Sequence, residues 1–242
     1  ITHPFPIQAL TLPVALEGQD IIGQAKTGTG KTLGFGIPLL MDTLGPGEEG
    51  WDEDPASGSP QALVILPTRE LAKQVAEELS TAAAQRTVRI VQVYGGRAYE
   101  PQIEDLERGA EVVVGTPGRL IDLMERGVLD LAHVTTVVLD EADEMLDLGF
   151  LPDVEKILAR TRADRHTMLF SATMPGAVVA LARRYMTRPT HIRAQDPGDE
   201  GMTVQTVQQV VYRTHSMNKV EVVSRILQAE GRRRTIIFAR TK

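Results

Sequence analysis

Five times along the chain an apolar, β-branched run stops abruptly at a short polar motif. "II" leads into "GQAKTGTGKT" (residues 23–32), "LVIL" into "PTREL" (67–71) and "VVV" into "GTPGRL" (115–120). "VVL" leads into "DEAD" (140–143), and "MLF" into "SAT" (171–173). Runs that are apolar on both faces suit strands of a parallel sheet covered by helices on each side. The pattern predicts strands at 20–22, 62–66, 88–93, 111–114, 136–139 and 167–170, with helices at 33–44, 70–84, 102–108, 119–126, 152–160 and 177–185. Repeated βα units of this kind imply an α/β fold: an open, mostly parallel sheet with helices on both faces. In such sheets ligands bind beyond the carboxyl ends of the strands. All five polar motifs are therefore expected on one rim.

Two stretches interrupt the alternation. Residues 45–60, "GPGEEGWDEDPASGSP", hold five acids, three prolines and four glycines, and read as a mobile acidic surface loop, with Trp51 either a partner contact or, by preference, part of a solvent-exposed insert. "QDPGDEG" (195–201) has linker composition and is followed by an alternating segment, a helical pattern at 218–230 and "TIIFARTK". The expected organisation is one domain over 1–196, a linker at 197–203 and the βαβ opening of a second domain over 204–242.

The 242 residues contain no cysteine, which excludes disulfides and thiolate metal sites and makes a reducing, cytoplasmic location the expectation. The five histidines show no metal-ligand spacing. No apolar run approaches the roughly 18 residues of a membrane span, so no membrane contact is expected. The net charge of −6 argues against nucleic-acid binding through a general basic field. Any such binding must use localised groups.

"GQAKTGTGKT" departs from the phosphate-loop pattern G-x-x-x-x-G-K-[ST] only at its first position, Ala25. Gly28 and Gly30 permit the tight turn whose N–H groups cradle phosphate oxygens, and the following helix adds its N-terminal partial charge. Lys31 is expected at the β/γ-phosphates and the Thr32 hydroxyl at Mg²⁺. The candidate nucleotide loop is Ala25, Thr27, Gly28, Thr29, Gly30, Lys31 and Thr32. Asp140, ending an apolar strand, suits a carboxylate that holds Mg²⁺ through water, and Glu141 beside it can polarise an attacking water.

"AKTGTGKT", "PTREL", "TPGRL", "DEAD" and "SAT", in this order and near this spacing, resemble the DEAD-box RNA helicases of bacterial type. "PFPIQ" (4–8) resembles that family's Q motif, and "IIFARTK" the start of its second RecA-like domain. The resemblance implies a RecA-like, P-loop NTPase fold, ATP as substrate with Mg²⁺, and RNA as the partner. It implies that Gln8 reads the adenine edge and that Lys31, Asp140 and Glu141 carry catalysis. It also implies that Ser171 and Thr173 link the nucleotide and RNA sites through Asp143. Pro67, Thr68, Arg69, Gly95, Gly96, Thr116, Pro117, Gly118 and Arg119 would grip the RNA backbone, with little sequence preference. Thr68 and Thr116 also fit helix N-caps, with Pro117 at a first helical position; these readings are compatible, because a helix N-terminus is itself a phosphate site. Arg69 and Arg119 supply the localised charge, and "RRR" at 232–234 is either an addition to it or a solvated cluster.

Phe5 stands where the family commonly has Ser or Thr. The aromatic that stacks on adenine upstream of the Q motif and the arginine finger of the second domain are not within residues 1–242. Slow ATP hydrolysis and no unwinding are expected of this length of chain alone. Three activities remain open at this point: RNA unwinding, an ATP-gated RNA clamp and, third, DNA unwinding.

Overall fold

The computed structural model describes residues 3–194, 210–231 and 234–238. The chain divides into two units, Ile1–Pro197 and Gly198–Lys242. The larger unit is built on a seven-stranded sheet in the order β3-β4-β2-β5-β6-β1-β7. The strands are β1 Ile21–Gln24, β2 Ala62–Ile65, β3 Ile90–Val93, β4 Val112–Gly115, β5 Thr136–Leu139, β6 His166–Ser171 and β7 Thr190–Arg193, and every pairing is parallel. Strand β1 lies inside the sheet, between β6 and β7, and carries the Gly/Thr-rich loop at its carboxyl end.

Successive side chains of a strand face opposite sides, and each face has its own core. Leu63, Ile65, Val113, Val137, Leu139 and Leu169 pack on one side with helices α4 (Glu100–Glu107), α5 (Pro117–Glu125), α6 (Ala142–Asp147), α7 (Leu151–Leu158) and α8 (Gly176–Tyr185). Val64, Val112, Val114, Val138, Met168 and Phe170 pack on the other with α1 (Pro6–Ala15), α2 (Lys31–Met41) and α3 (Arg69–Ala82). This double coverage explains why β2, β4 and β5 read as unbroken apolar runs. The Phe35 and Phe170 rings meet at 5.4 Å with planes tilted by 57°, a geometry worth roughly 0.5–1.5 kcal/mol beyond area burial. Gly23 of β1 makes room for Phe170, because a Cβ there would lie 2.4 Å from that ring. Gly23 thus serves packing, one residue before the loop begins to turn.

Three elements exceed the sequence expectation. The "PFPIQ" stretch opens α1, with Pro6 at its start and Ile7, Thr11 and Ala15 buried at helical spacing. A non-polar N-cap, Phe5, and an interior Pro13 mask that signal. Helix α6 has only six residues, and β7 has a single buried side chain, Ile192, so neither presents a periodicity long enough to detect.

The acidic segment corrects the expectation of a mobile loop. It folds as consecutive turns pinned by Arg86, whose guanidinium donates to Glu48 at 2.8 Å and to the Thr43 carbonyl at 2.7 Å. The Gln61 side chain further clamps the Leu44 backbone, accepting at 2.9 Å and donating at 3.0 Å. Trp51 is half-buried, not exposed, and its Nε1 is enclosed without a hydrogen-bond partner among the described residues. The acids that looked unable to build structure are partly neutralised by an arginine 38 positions away.

In the smaller unit, helix α9 spans Lys219–Gln228 and buries none of its side chains. Val211, Met217, Val220 and Phe238 are among its exposed apolar residues. Among the described residues of this unit no strand forms, and the expected βαβ opening over 204–242 falls partly on residues outside them. The expected linker at 197–203, Arg232 and Arg233, and residues 239–242 lie outside the described residues.

Candidate active site at the carboxyl rim of the sheet

The loop after β1 turns through Gly28 (φ +83) and Gly30 (φ +78), the latter capping α2 in the left-handed region. That backbone is inexpensive only for glycine. At Gly30 a Cβ would also lie 2.6 Å from Gln8 Nε2 and 2.7 Å from the Phe5 ring. Ala25 has no positive φ, is buried, and donates its N–H to the Ser171 carbonyl at 3.2 Å. An alanine at the loop's first position therefore costs the turn nothing. Thr29 closes the loop on itself through the Lys26 carbonyl at 2.7 Å, and Thr32 follows, half-buried, in the first turn of α2.

Gln8 is buried and uses both ends of its amide. Its Oε1 accepts from the Phe5 backbone N–H at 3.0 Å, and its Nε2 donates to the Gly30 carbonyl at 2.8 Å. The side chain thus straps α1 to the loop, with one N–H and one lone pair left over. Phe5 contributes no side-chain cap; its ring packs beside Gly30 instead.

At the centre, Lys31 is 5% exposed and donates to Glu141 Oε1 at 2.8 Å, with Asp140 Oδ1 at 3.6 Å. Thr27 Oγ1 donates to the same Glu141 oxygen at 2.8 Å. Glu141 follows strand β5 in the left-handed region (φ 53), a backbone state that costs a non-glycine residue about 1–3 kcal/mol and clusters at functional sites. Its N–H is held by Asp140 Oδ1 at 2.9 Å. Two carboxylates and one ammonium thus share a buried pocket between β1, β5 and the start of α2.

Burial pushes the Asp140 carboxyl up to about 6; Lys31 lowers it and the neighbouring Glu141 raises it again. A raised folded-state value means the folded protein holds this proton more tightly than the unfolded chain does. The stabilisation is fully present below the unfolded value of about 4 and is lost as pH rises through about 6. Asp140→Asn, which removes the buried charge, is therefore expected to raise the melting temperature at pH 7.5 and to lose that advantage on acidification to pH 4. About two pKa units at about 1.4 kcal/mol each place the change near 3 kcal/mol. Parallel melting curves of the two proteins check it, and a pH-independent difference would refute it.

Beyond the acids, Asp143 Oδ2 accepts from the Thr173 N–H at 2.8 Å and from its hydroxyl at 2.7 Å. Ser171 Oγ accepts from the Asp143 N–H at 3.1 Å and donates to the Thr173 carbonyl at 2.7 Å. Burial works to raise the Asp143 pKa, but these hydrogen bonds outweigh it and hold the carboxyl below its usual range. Its Oδ1 is buried without a partner among the described residues.

Farther along the rim, a cleft of about 480 Å³ is lined by Pro67, Arg69, Gly95, Thr116, Gly118 and Arg119, with Tyr99, Asp122 and Phe150. Thr68 caps α3, its Oγ1 accepting from Leu71 N at 3.3 Å. Thr116 occupies the N-cap position of α5, yet its hydroxyl makes no cap bond, and Pro117 at the next position has no N–H to offer. Arg69 is exposed and pairs with Glu70, and a Cβ on Gly96 (φ +79) would sit 3.1 Å from its guanidinium.

Arg119 lines the same cleft from a buried position. It is 9% exposed, donates to the Arg97 carbonyl at 3.2 and 3.1 Å, and stacks 3.8 Å from the centre of the Tyr99 ring. Arg126 approaches the same ring at 4.4 Å. Hydrogen bonds from Tyr99 and Arg126 hold Asp122 below the usual carboxylate range. Arg119 thus shapes the cleft floor, and Arg69 is the exposed cation of the pair. Tyr99, Arg97 and Phe150 escaped the sequence reading. Their only signal was proximity to Gly95-Gly96 and to the turn after α6.

The family model described as DEAD/DEAH box helicase matches residues 5–181. The DEAD-box ATP-dependent RNA helicase CshA of Geobacillus kaustophilus is 45% identical over 237 residues, covering 98% of this chain and 48% of that protein. The Bacillus subtilis protein of the same name is 42% identical, over 98% of this chain and 45% of its own length. The chain spans about half the length of the curated relatives it matches. Among solved structures, a DEAD box protein from Methanococcus jannaschii superposes with a TM-score of 0.73 at 37% identity, covering 94% of this chain and 58% of that one. A hypothetical ATP-dependent RNA helicase from Sulfolobus tokodaii gives 0.70 at 37% identity, over 80% and 54% of the two chains. With a matched model over most of its length and relatives at this identity, the chain belongs to the DEAD/DEAH box helicase family.

Proposed function

We propose that this chain is the nucleotide-binding half of an ATP-dependent RNA helicase. The observation that carries the reading is the convergence of Lys31 on Glu141 and Asp140, on the same rim as the Asp143–Thr173 junction and the Thr68 and Thr116 helix ends. The Gly28–Gly30 turn and the α2 N-terminus receive the phosphates of ATP, and Lys31 exchanges its carboxylate partner for a phosphate oxygen. Gln8 has one donor and one acceptor left for an adenine edge. Glu141 then orients the attacking water and takes its proton.

Thr32 and Asp140 offer the hard oxygen ligands that suit Mg²⁺, which keeps several waters and completes its shell with substrate phosphates. When bound, Mg²⁺ neutralises charge developing on the phosphates.

RNA is the proposed partner, held by its sugar-phosphate backbone at Pro67, Thr68, Arg69, Gly95, Gly96, Thr116, Pro117, Gly118 and Arg119. Asp143, Ser171 and Thr173 couple that cleft to the nucleotide. Residues 204–242 are proposed as the opening of a second RecA-like domain, and a reducing cytosol as the compartment. Among the described residues no helix is long and apolar enough to cross a membrane.

The test uses the parent protein with both domains, given short RNA and DNA duplexes. ATP-dependent strand separation of RNA, with hydrolysis stimulated by RNA, is expected. Hydrolysis indifferent to RNA would overturn the reading. ATP-dependent retention on RNA without separation would identify a clamp.

A further inference from the structure

Strand β7 is the outer strand of the sheet beside β1. Thr190 N and Ala194 N donate to Asp20 and Gln24 of the β1 side. The alternate residues, His191 and Arg193, therefore direct their N–H and C=O groups away from the sheet. Ile192 packs into the core shared with α1, so His191 and Arg193 lie on the α8 face. There a groove of about 390 Å³ runs between α8 and β7, floored by apolar residues including Ile22, Met174, Val179 and Met186.

The charge around this groove is one-sided. Arg183 and Arg188 line it without any acidic residue, and Arg193 is exposed on the same face of β7. Arg184 pairs with Glu155 at 3.0 Å, whereas Arg183, Arg188 and Arg193 form no ion pair among the described residues. Arg183 and Arg193 thus stand on this face without an acidic partner among the described residues, while Arg188 also borders a second cavity that holds Asp20, Asp42 and Asp164. Arg188 is also held at φ 45 immediately before Pro189. A left-handed residue there is strained, and it sits at the groove's lip.

We propose that this groove and the outer edge of β7, unpaired among the described residues, form a docking site for an acidic, extended segment of a partner protein. The segment adds as a strand beside β7, its backbone pairing with His191 and Arg193. Alternate apolar side chains enter the groove, and its carboxylates meet Arg183, Arg188 and Arg193. Edge pairing supplies affinity and the alternating pockets supply specificity, while charge complementarity selects against basic and neutral segments.

A displayed library of random decapeptides, panned against the intact chain, tests this. The enriched peptides should alternate apolar with Asp or Glu. One of them, labelled, should bind at least tenfold more weakly to the Arg183→Glu, Arg188→Glu, Arg193→Glu triple variant. His191→Pro, which deletes one outward N–H and leaves the arginines in place, should weaken binding by a similar factor; unchanged melting temperatures show that both variants fold. Enrichment without acids, or equal binding by both variants, would overturn the proposal. So would loss of single-stranded RNA binding in the arginine variant with no peptide enriched, which would make the groove a nucleic-acid surface.

Discussion

Lys31→Ala is expected to lose ATP binding altogether in titration calorimetry, a fall of at least about a hundredfold. The reason is not only the missing contact with phosphate. Lys31 is buried between two carboxylates, 2.8 Å from Glu141 and 3.6 Å from Asp140. Removing one partner of a buried ionic cluster leaves the remaining charges uncompensated, typically at a cost of about 3–5 kcal/mol. Without Lys31 the two acids repel each other and also repel the incoming triphosphate. One of them should take up a proton, so the variant's melting temperature should depend on pH more steeply than that of the parent. ATP affinity within threefold of the parent's would show that the phosphates are bound elsewhere.

How far the sequence could be read follows from where each signal resides. The parallel sheet was legible because β2, β4 and β5 are buried on both faces and appear as runs of Leu, Val and Ile. The rim was legible because polar motifs begin where those runs end. What could not be read is pairwise. That Thr27 and Lys31 share one oxygen of Glu141 depends on β1 and β5 lying on either side of β6. That arrangement is set by packing over more than a hundred residues. Arg119 and Arg69 look alike as letters. One is drawn into the floor by the Arg97 carbonyl and the Tyr99 ring, and the other remains in solvent. The acidic loop misled for the same reason: its organiser, Arg86, lies in the turn after α3. Composition describes a segment's own capacity to fold, and here the capacity was supplied from outside it.

Glu141→Gln separates binding from chemistry at the site where Lys31→Ala abolishes both. Glutamine keeps the side chain's length and an oxygen that can accept from Thr27 and Lys31, which hold Glu141 Oε1 at 2.8 Å each. What it loses is negative charge and basicity. Lys31 is then less firmly engaged by the protein and freer to turn to a phosphate, so ATP affinity should hold or rise. Hydrolysis should fall, because no carboxylate remains to accept the proton of the attacking water. A positioned general base contributes typically 10²–10⁴-fold, and the turnover loss is expected to be about 10³. Asp140 provides no substitute: it is buried, and one of its oxygens is tied to the Glu141 backbone N–H. The same variant should therefore persist on RNA with ATP bound, dissociating far more slowly than the parent. Single-turnover hydrolysis and RNA dissociation, measured on one preparation, distinguish the outcomes. Slow hydrolysis with fast release would leave Glu141 as the base but remove ATP as the signal that holds RNA. Hydrolysis within tenfold of the parent's would mean that another group activates the water. It would also mean that the left-handed turn at Glu141 serves the Thr27–Lys31 contacts alone.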